Sequence, residues 1–509
     1  MSASSPSPRS EQLEIERKYD VDSEARLPDL GGTGVVASVE SFPAVSLRAV
    51  YFDTVEHTLL SNRITLRRRE GGHDSGWHAK LPADEGARRE VHAPLGESPD
   101  DGVPAALRRV VEAVLRGRPL RPVLVLETER SITMLRDADG ADLAELADDE
   151  VTATDPSAGS SRSWREWEVE LAPGVSRTDG EALLDEVGDV LERAGASVSS
   201  SKSKLARGLG DVTTVPLLAR HEADEGTAAR FVLDAVGSLV DALQRLDPGV
   251  RDADPEAVHR FRITARRLRS ILRVFRGVVD ADDAATVEKA LGRVGRAAGA
   301  ARDLQVARDE LDVDLDAAPE GYVLHETVGR LQAGFREGAR EAARDLERDL
   351  GDPSYFELLD RLDVLLATRP EGPKADDPAV KFVAARIAKE SKRARKRAAA
   401  ASKLYRETGD ADRETLHTVR KAARRLRYAV EAQRDAELKG AVSPKAAHAL
   451  QDALGDALDA QAAAERFVAA AHTARWAGED TFGYGALATL ASGRREAALA
   501  RLPKLAEKL

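Results

Sequence analysis

The chain has no cysteine. Disulfides, thiolate metal sites and a cysteine nucleophile are therefore excluded. Aromatic residues make up only 4% of it, so platforms for stacking nucleobases are scarce. No apolar run approaches the roughly 20 residues of a spanning helix. The start, "MSASSPSPRS", lacks the apolar segment of a signal peptide, and the expected location is cytoplasmic. Positive charge is not in excess either. A net charge of −12 argues against a general nucleic-acid or membrane binder, which makes local basic clusters stand out. What is present is a globular composition, 42% apolar and 32% charged over 509 residues, too long for one core and suited to two or three domains.

The hydrophobic period changes once along the chain. After a tail at 1–10, expected to be disordered, residues 11–210 read as eight strands: "EQLEIERKYDV", "SLRAVYFDT", "ITLRRRE", "GWHAKLP", "ARREVHAPL", "VLVLETERSITM", "ADLAELADDEVTA" and "SWREWEVEL". Two helical stretches, "AALRRVVEAVLRG" and "EALLDEVGDVLERAG", interrupt them. Eight antiparallel strands are enough to close a barrel. Residues 211–224 read as a linker, and 225–509 as helices throughout. "HRFRITARRLRS" at 259–270 and "HTVRKAARRLRY" at 417–428 share His, Arg, Ala, Arg, Arg, Leu and Arg in register. "GAARD" and "GDALD" echo each other further on. The simplest account is duplication of a bundle of about four helices, with copies near 225–370 and 375–509. The fold class expected is α+β multidomain: an eight-stranded antiparallel tunnel with flanking helices, then an all-α pair of four-helix bundles.

The strands carry charge on one face. With a period of two, Glu14, Glu16 and Lys18 point one way. Glu166, Glu168 and Glu170 repeat the pattern, as do Arg67 with Arg69, Lys80 with His78, and Arg130 with Thr128. The opposite faces are often apolar, so the charged faces read as an interior and the apolar ones as contacts with flanking helices. Such an interior is costly if dry and unpaired. It suits a lumen holding water, a polyanion and divalent cations, because clustered Glu binds Mg²⁺ or Mn²⁺ and Arg forks match phosphate oxygens.

In the helical half, His259, Arg262, Arg266, Arg269, Arg273 and Arg276 are spaced 3, 4, 3, 4, 3 and form one stripe. His417, Arg420, Arg424 and Arg427 form a shorter one, with Glu431 where Arg273 would align. Like charges at these spacings repel, and an anionic partner would relieve them. No aromatics interleave the stripes, so bare polyphosphate fits better than specific nucleic acid. "KESKRARKR" at 389–397 reads as a third basic wall.

"EIERK" resembles the ExExK signature of the CYTH domain, the triphosphate tunnel metalloenzyme family. "LRRR", "HAKLP", "TER", "EWEVEL" and "SKSKLARG" follow in the family's order across 11–210. The resemblance implies a tunnel that hydrolyses a triphosphate with Mg or Mn. Glu14, Glu16 and Lys18 would be catalytic, and Glu14, Glu16, Glu168 and Glu170 would bind the metal, with Glu166 able to share it. Lys18, Arg67, Arg69, Lys80, Arg130 and Lys204 (or Lys202 in its place) would contact the triphosphate. His92 stands where the family often has an acid. The helical half resembles the CHAD domain, the conserved-histidine α-helical domain, in its two "HxxRxxxRRLR" helices, "AARDLQV" and "LQDALGDALD". That resemblance implies polyphosphate binding by His259, Arg262, Arg266, Arg269, Arg273, His417, Arg420, Arg424 and Arg427, and association with polyphosphate granules. The expected activity is inorganic triphosphatase. The alternatives are a non-catalytic polyphosphate tether, or a hydrolase of an organic triphosphate such as thiamine triphosphate. Neither a membrane nor a specific nucleic acid is an expected partner, and the oligomeric state is left open.

Overall fold

The computed structural model describes residues 10–72, 74–82, 88–96, 102–201, 203–210, 219–440 and 444–508. The side chains of 10–14, 88 and 444 lie outside the described set, so for Glu14 only the backbone position is given. Lys202 lies wholly outside it, as do most of the expected tail and linker. The chain divides into two compact units, Met1–Leu217 and Leu218–Leu509.

The first unit is one sheet with helices on its outer face. In chain order its elements are β1 (Ser10–Glu14), β2 (Glu16–Val21), β3 (Ser38–Ser41), β4 (Val45–Asp53), α1 (Thr58–Ser61), β5 (Thr65–Glu70), β6 (Gly76–Pro82) and β7 (Arg88–Ala93). They continue with α2 (Ala105–Leu115), β8 (Arg121–Arg136), β9 (Asp142–Thr154), β10 (Ser161–Leu171), α3 (Arg177–Arg193), β11 (Ser197–Val198) and α4 (Lys204–Leu209). The strands run β1-β7-β6-β5-β4-β8-β9-β10-β2-β11, with β3 beside β8. All the pairings are antiparallel.

Among the described residues there are eleven strands where eight were expected. Two of the additions are the short β3 and β11. The third arises because "EQLEIERKYDV" is divided at Ile15, so that β1 pairs with β7 while β2 pairs with β10. With one residue between β1 and β2, the two ends of the sheet meet there. The Ile15 carbonyl accepts a 3.0 Å hydrogen bond from the Leu171 N–H, which ties the junction to β10.

The apolar faces point outward. Tyr19, Trp167 and Val169 pack under Leu183, Leu184, Val187 and Leu191 of α3, whose 3- and 4-residue spacing makes one helical stripe. Each such side chain contributes about 1.5–3 kcal/mol of burial. Ser176 caps α3 by accepting from the Asp179 N–H. Gly188 lets α3 approach, since a Cβ there would lie 2.5 Å from the Tyr19 hydroxyl. Leu66, Trp77 and Val91 pack likewise on Leu107, Val110 and Val111 of α2, and Leu124, Leu126 and Val151 on Leu205 and Leu209 of α4. The inner face is left to polar groups.

The second unit is helical: α5 (Ala228–Arg251), α6 (Pro255–Val274), α7 (Ala281–Ala317), α8 (His325–Gly351), α9 (Pro353–Ala367), α10 (Ala379–Thr408), α11 (Arg413–Asp435), α12 (Pro444–Trp476), α13 (Phe482–Ala500) and α14 (Leu502–Glu507). Among the described residues each repeat stretch therefore holds five helices where about four were expected. The repeated helices α6 and α11 start alike, with Asp254 and Asp412 accepting backbone N–H groups of the first turn. They pack on each other, and Arg267 of α6 reaches Asp435 of α11 at 3.3 Å. Among the described residues no helix is long and apolar enough to cross a membrane.

Candidate functional site

Strand register gathers the charged residues of the first unit. Lys18 lies opposite Glu168 and Glu16 opposite Glu170, while Asp149 lies opposite both Glu166 and Arg130. On the other side Thr65 faces Lys80, Arg67 faces His78, and Lys80 faces Glu90. The side chains of all of these except Asp149 and Glu166 line a cavity of about 660 Å³. Of the site residues expected from sequence, Glu16, Lys18, Arg67, Arg69, Lys80, Arg130, Glu168, Glu170 and Lys204 all line it. Glu14 sits opposite Arg88 in the β1–β7 pairing.

The cavity has an acidic wall and a basic wall. On the acidic side, from β2, β9 and β10, the Lys18 ammonium bonds Glu16 at 2.9 Å and also Glu168. Burial opposes ionisation of Glu16, but Lys18 and Lys80 outweigh it and hold the carboxyl at about 2. Glu170 behaves differently. Burial, reinforced by the Glu16 and Glu168 charges and only partly offset by Lys80, pushes its carboxyl above the usual range. A divalent cation between Glu16, Glu168 and Glu170 would relieve that repulsion, and their oxygens are the donors Mg²⁺ and Mn²⁺ prefer. In charge and donor type these residues suit a metal, although the described carboxylates whose oxygens lie within 4.8 Å of one another are those of Asp149, Glu166 and Glu168.

On the basic side, Glu90 is the shared carboxylate for Arg67 at 3.9 Å, Lys80 at 4.0 Å and the His78 ring at 3.0 Å. Arg69 pairs with Asp74 at 2.6 Å. Burial, then the neighbouring Arg67, lowers the Arg69 guanidinium to about 10. Burial also lowers His78, although Glu90 bonds to it. At Arg69 the cations stand closer than the carboxylates offset, whereas at Arg67 burial is outweighed by Tyr51 and Glu90, which raise its guanidinium; both forks suit phosphate oxygens.

Asp149 is a residue that sequence reasoning did not single out. Fully buried, it takes both Nε and one terminal nitrogen of Arg130 at 2.7 and 2.6 Å. With Glu166 and Glu168 it forms a group of three carboxylates whose oxygens lie within 4.8 Å of one another. The run Asp148, Asp149, Glu150 puts charge on both faces of β9, so alternation alone does not mark the inward one. Only its register with Arg130 and Glu166 does.

The second unit has its own cavity, of about 990 Å³, lined by His259, Arg262 and Arg266 of α6 and by His417, Arg420, Arg424 and Arg427 of α11. Both repeat copies thus face one space. Arg302 and Arg466, not singled out from sequence, line it too. Arg269 and Arg273 do not: Arg269 lies against Gly292, and Arg273 pairs with Glu288 at 2.8 Å. The 389–397 run lies on α10 and is not among the lining residues either.

Equivalent glycines shape the two halves of this cavity. Gly299 and Gly455 lie under Arg262 and Arg420, where a Cβ would come within 3.6 and 3.3 Å of the guanidinium. Asp303 and Asp459 pair with the same two arginines at 3.0 and 3.9 Å. Arg266 and Arg424 have no carboxylate partner among the described residues. Burial, followed by Arg424 and Arg262, lowers Arg266 to about 9. Burial, with Arg420 and Arg262 adding to it, lowers Arg424 to about 10. Burial and nearby arginines also lower His259 and His417.

The sequence matches the CYTH domain over residues 12–209 and the CHAD domain over residues 234–468. Two uncharacterised proteins of Mycobacterium tuberculosis, from strains CDC 1551 and H37Rv, are each 37% identical to it over 517 aligned residues, spanning 97% of this chain and 97% of their own. The CHAD domain structure from the plant Ricinus communis is 24% identical with a TM-score of 0.43, covering 57% of this chain and 95% of its own. A Hippeastrum protein described as having a dominant triphosphatase activity is 18% identical with a TM-score of 0.25, covering 38% of this chain and 93% of its own. On the full-length identity and the two domain matches, the chain belongs to the family that joins an N-terminal CYTH domain to a C-terminal CHAD domain.

Proposed function

We propose that the first unit is a metal-dependent inorganic triphosphatase and that the second binds polyphosphate. The observation that carries the first part is the single cavity with a carboxylate wall facing a cation wall. CYTH domains are metal-dependent and act on triphosphates, and this chain keeps the groups such chemistry uses. Phosphoryl transfer needs positioning and charge neutralisation more than covalent catalysis. Arg67, Arg69 and Lys80 would bind phosphate oxygens on one side, with Lys18 and Arg130 on the other. Glu16, Glu168 and Glu170, with Glu14 from β1, would hold Mg²⁺ or Mn²⁺. Bound there, the metal supplies a Lewis acid for a phosphoryl oxygen and lowers the pKa of a coordinated water. Among the described lining residues Tyr51 is the sole Phe, Tyr or Trp, which favours a bare triphosphate over a nucleotide or thiamine ester. Lys204 completes the set of cations.

In the second unit the supporting observation is that Arg266 and Arg424, which have no carboxylate partner among the described residues, face one cavity from both repeat copies. An anion with many charges relieves both. The test is phosphate release from tripolyphosphate, longer polyphosphate, ATP and thiamine triphosphate, with and without Mg²⁺ or Mn²⁺. Metal-dependent release fastest from tripolyphosphate is the expected result. Metal-independent release, or a preference for ATP, would overturn the reading.

A further inference from the structure

The three carboxylates of Asp149, Glu166 and Glu168 form the arrangement a divalent ion would take, yet an ammonium occupies it. Lys204, the first residue of α4, places Nζ 3.0 Å from Asp149, 2.6 Å from Glu166 and 2.7 Å from Glu168. Its side chain is only 10% exposed, and those of the three acids are 0%, 4% and 10% exposed. The helix that delivers it is anchored: Ser203 caps α4 by accepting from the Ala206 N–H, and Leu205 and Leu209 are buried in the apolar cluster against β8 and β9. The ammonium is thus held by a packed element rather than by a free tail.

We propose that Lys204 is a tethered cation that fills the Asp149–Glu166–Glu168 cage and so confines divalent metal to the Glu16–Glu170 end of the cavity. Two facts make the competition direct. The distances of 2.6–3.0 Å are those of N–H···O bonds, and an ion such as Mg²⁺ would draw the same oxygens in to about 2.0–2.1 Å, so metal and ammonium cannot share the centre. Glu168 also belongs to both groups, since it accepts from Lys18 as well. An ion in the cage would take away a ligand that the neighbouring position uses. Without Lys204 the three acids keep Arg130, Arg207 and Lys18 as partners, none of which bonds all three, and the centre of the cage becomes available to a divalent ion.

The inference rests on the metal-dependent reading of the cavity, and its test separates the two. Mn²⁺ binding to the full chain, without any phosphate compound, is counted by titration calorimetry for the wild type, Lys204→Met, Lys204→Gln and Lys204→Arg. Lys204→Met and Lys204→Gln are expected to bind one Mn²⁺ more per chain than the wild type. Lys204→Arg, which keeps a cation in place, is expected to match the wild type. Adding Asp149→Asn to Lys204→Met should remove the gained ion. Equal counts in wild type, Lys204→Met and Lys204→Gln would overturn the tethered-cation role. A wild type that binds no Mn²⁺ would instead overturn metal dependence, and a gained site in the variants would still stand beside that result. Thermal melts with and without Mn²⁺ give a second reading, because a newly bound ion raises the midpoint of the variants above any rise in the wild type.

Discussion

Glu16 is where charge, burial and chemistry meet most tightly. Its carboxyl is held at about 2 by Lys18 and Lys80 against the cost of burial, so it stays ionised throughout the neutral range. The folded-state value lies below the ordinary carboxylate value, so the interaction stabilises the fold fully above about pH 4.5 and fades as pH falls toward 2. Glu16→Gln keeps the shape and removes the charge. The expected outcome is a loss of metal-dependent tripolyphosphate hydrolysis by a factor on the order of 10²–10⁴, several kcal/mol of transition-state stabilisation, with weaker Mn²⁺ binding and a folded protein by circular dichroism. Unchanged turnover at unchanged metal dependence would remove Glu16 from the site. Alternation alone made Glu16, Lys18, Glu168 and Glu170 legible, because β2 and β10 keep their charges on one face. It could not reveal Asp149 or the fate of Lys204. Both depend on which strand lies beside which, and on where a six-residue helix after the last long strand points its first side chain.

Among elements, the pair α6 and α11 shows what sequence periodicity can and cannot say. The stripe of His259 to Arg276 was visible from spacing, but α6 ends at Val274, which leaves Arg276 beyond the helix, and the stripe outruns the space it faces. Arg269 and Arg273 pass beyond the cavity and turn to α7, where Gly292 and Glu288 receive them. The crowded remainder carries a stability cost. A guanidinium lowered to about 9 or 10 opposes folding in its charged form, and the penalty persists at every pH below those values. Arg266→Gln with Arg424→Gln is therefore expected to raise the melting midpoint of the free protein by a few degrees, on the order of 1 kcal/mol or more, while sharply weakening polyphosphate binding. A variant that loses binding and also melts lower would point to a structural role instead. His259 and His417 add a pH signature. Burial and arginine neighbours keep them neutral below the ordinary histidine value, and a bound polyanion would raise both. Binding should take up protons and tighten as pH falls through the ordinary histidine range and below it. A flat pH profile in calorimetry would leave the imidazoles out of the site.

For the whole molecule, the change of period near residue 210 was legible because strands and helices bury different stripes, and the division at Leu217 and Leu218 falls beside it. The break at Ile15 was not legible, since both halves of that segment alternate alike and only the two different partners, β7 and β10, reveal it. Residues 1–217 expressed alone are expected to hydrolyse tripolyphosphate at near full-length rates, and residues 218–509 to bind long polyphosphate. A first fragment that is folded but inactive would tie catalysis to the helical unit. The segregation of charge in both cavities has one further consequence, for how fast ligands arrive. A polyanion approaches a chain whose net charge is −12, so long-range repulsion retards encounter while short-range attraction inside the cavities holds the bound state. Added salt screens the first within about 8–10 Å and leaves contacts inside a cavity less affected. Stopped-flow association should therefore quicken with rising ionic strength while dissociation changes less, a salt dependence of the association rate opposite to that of proteins that steer polyanions with a basic exterior.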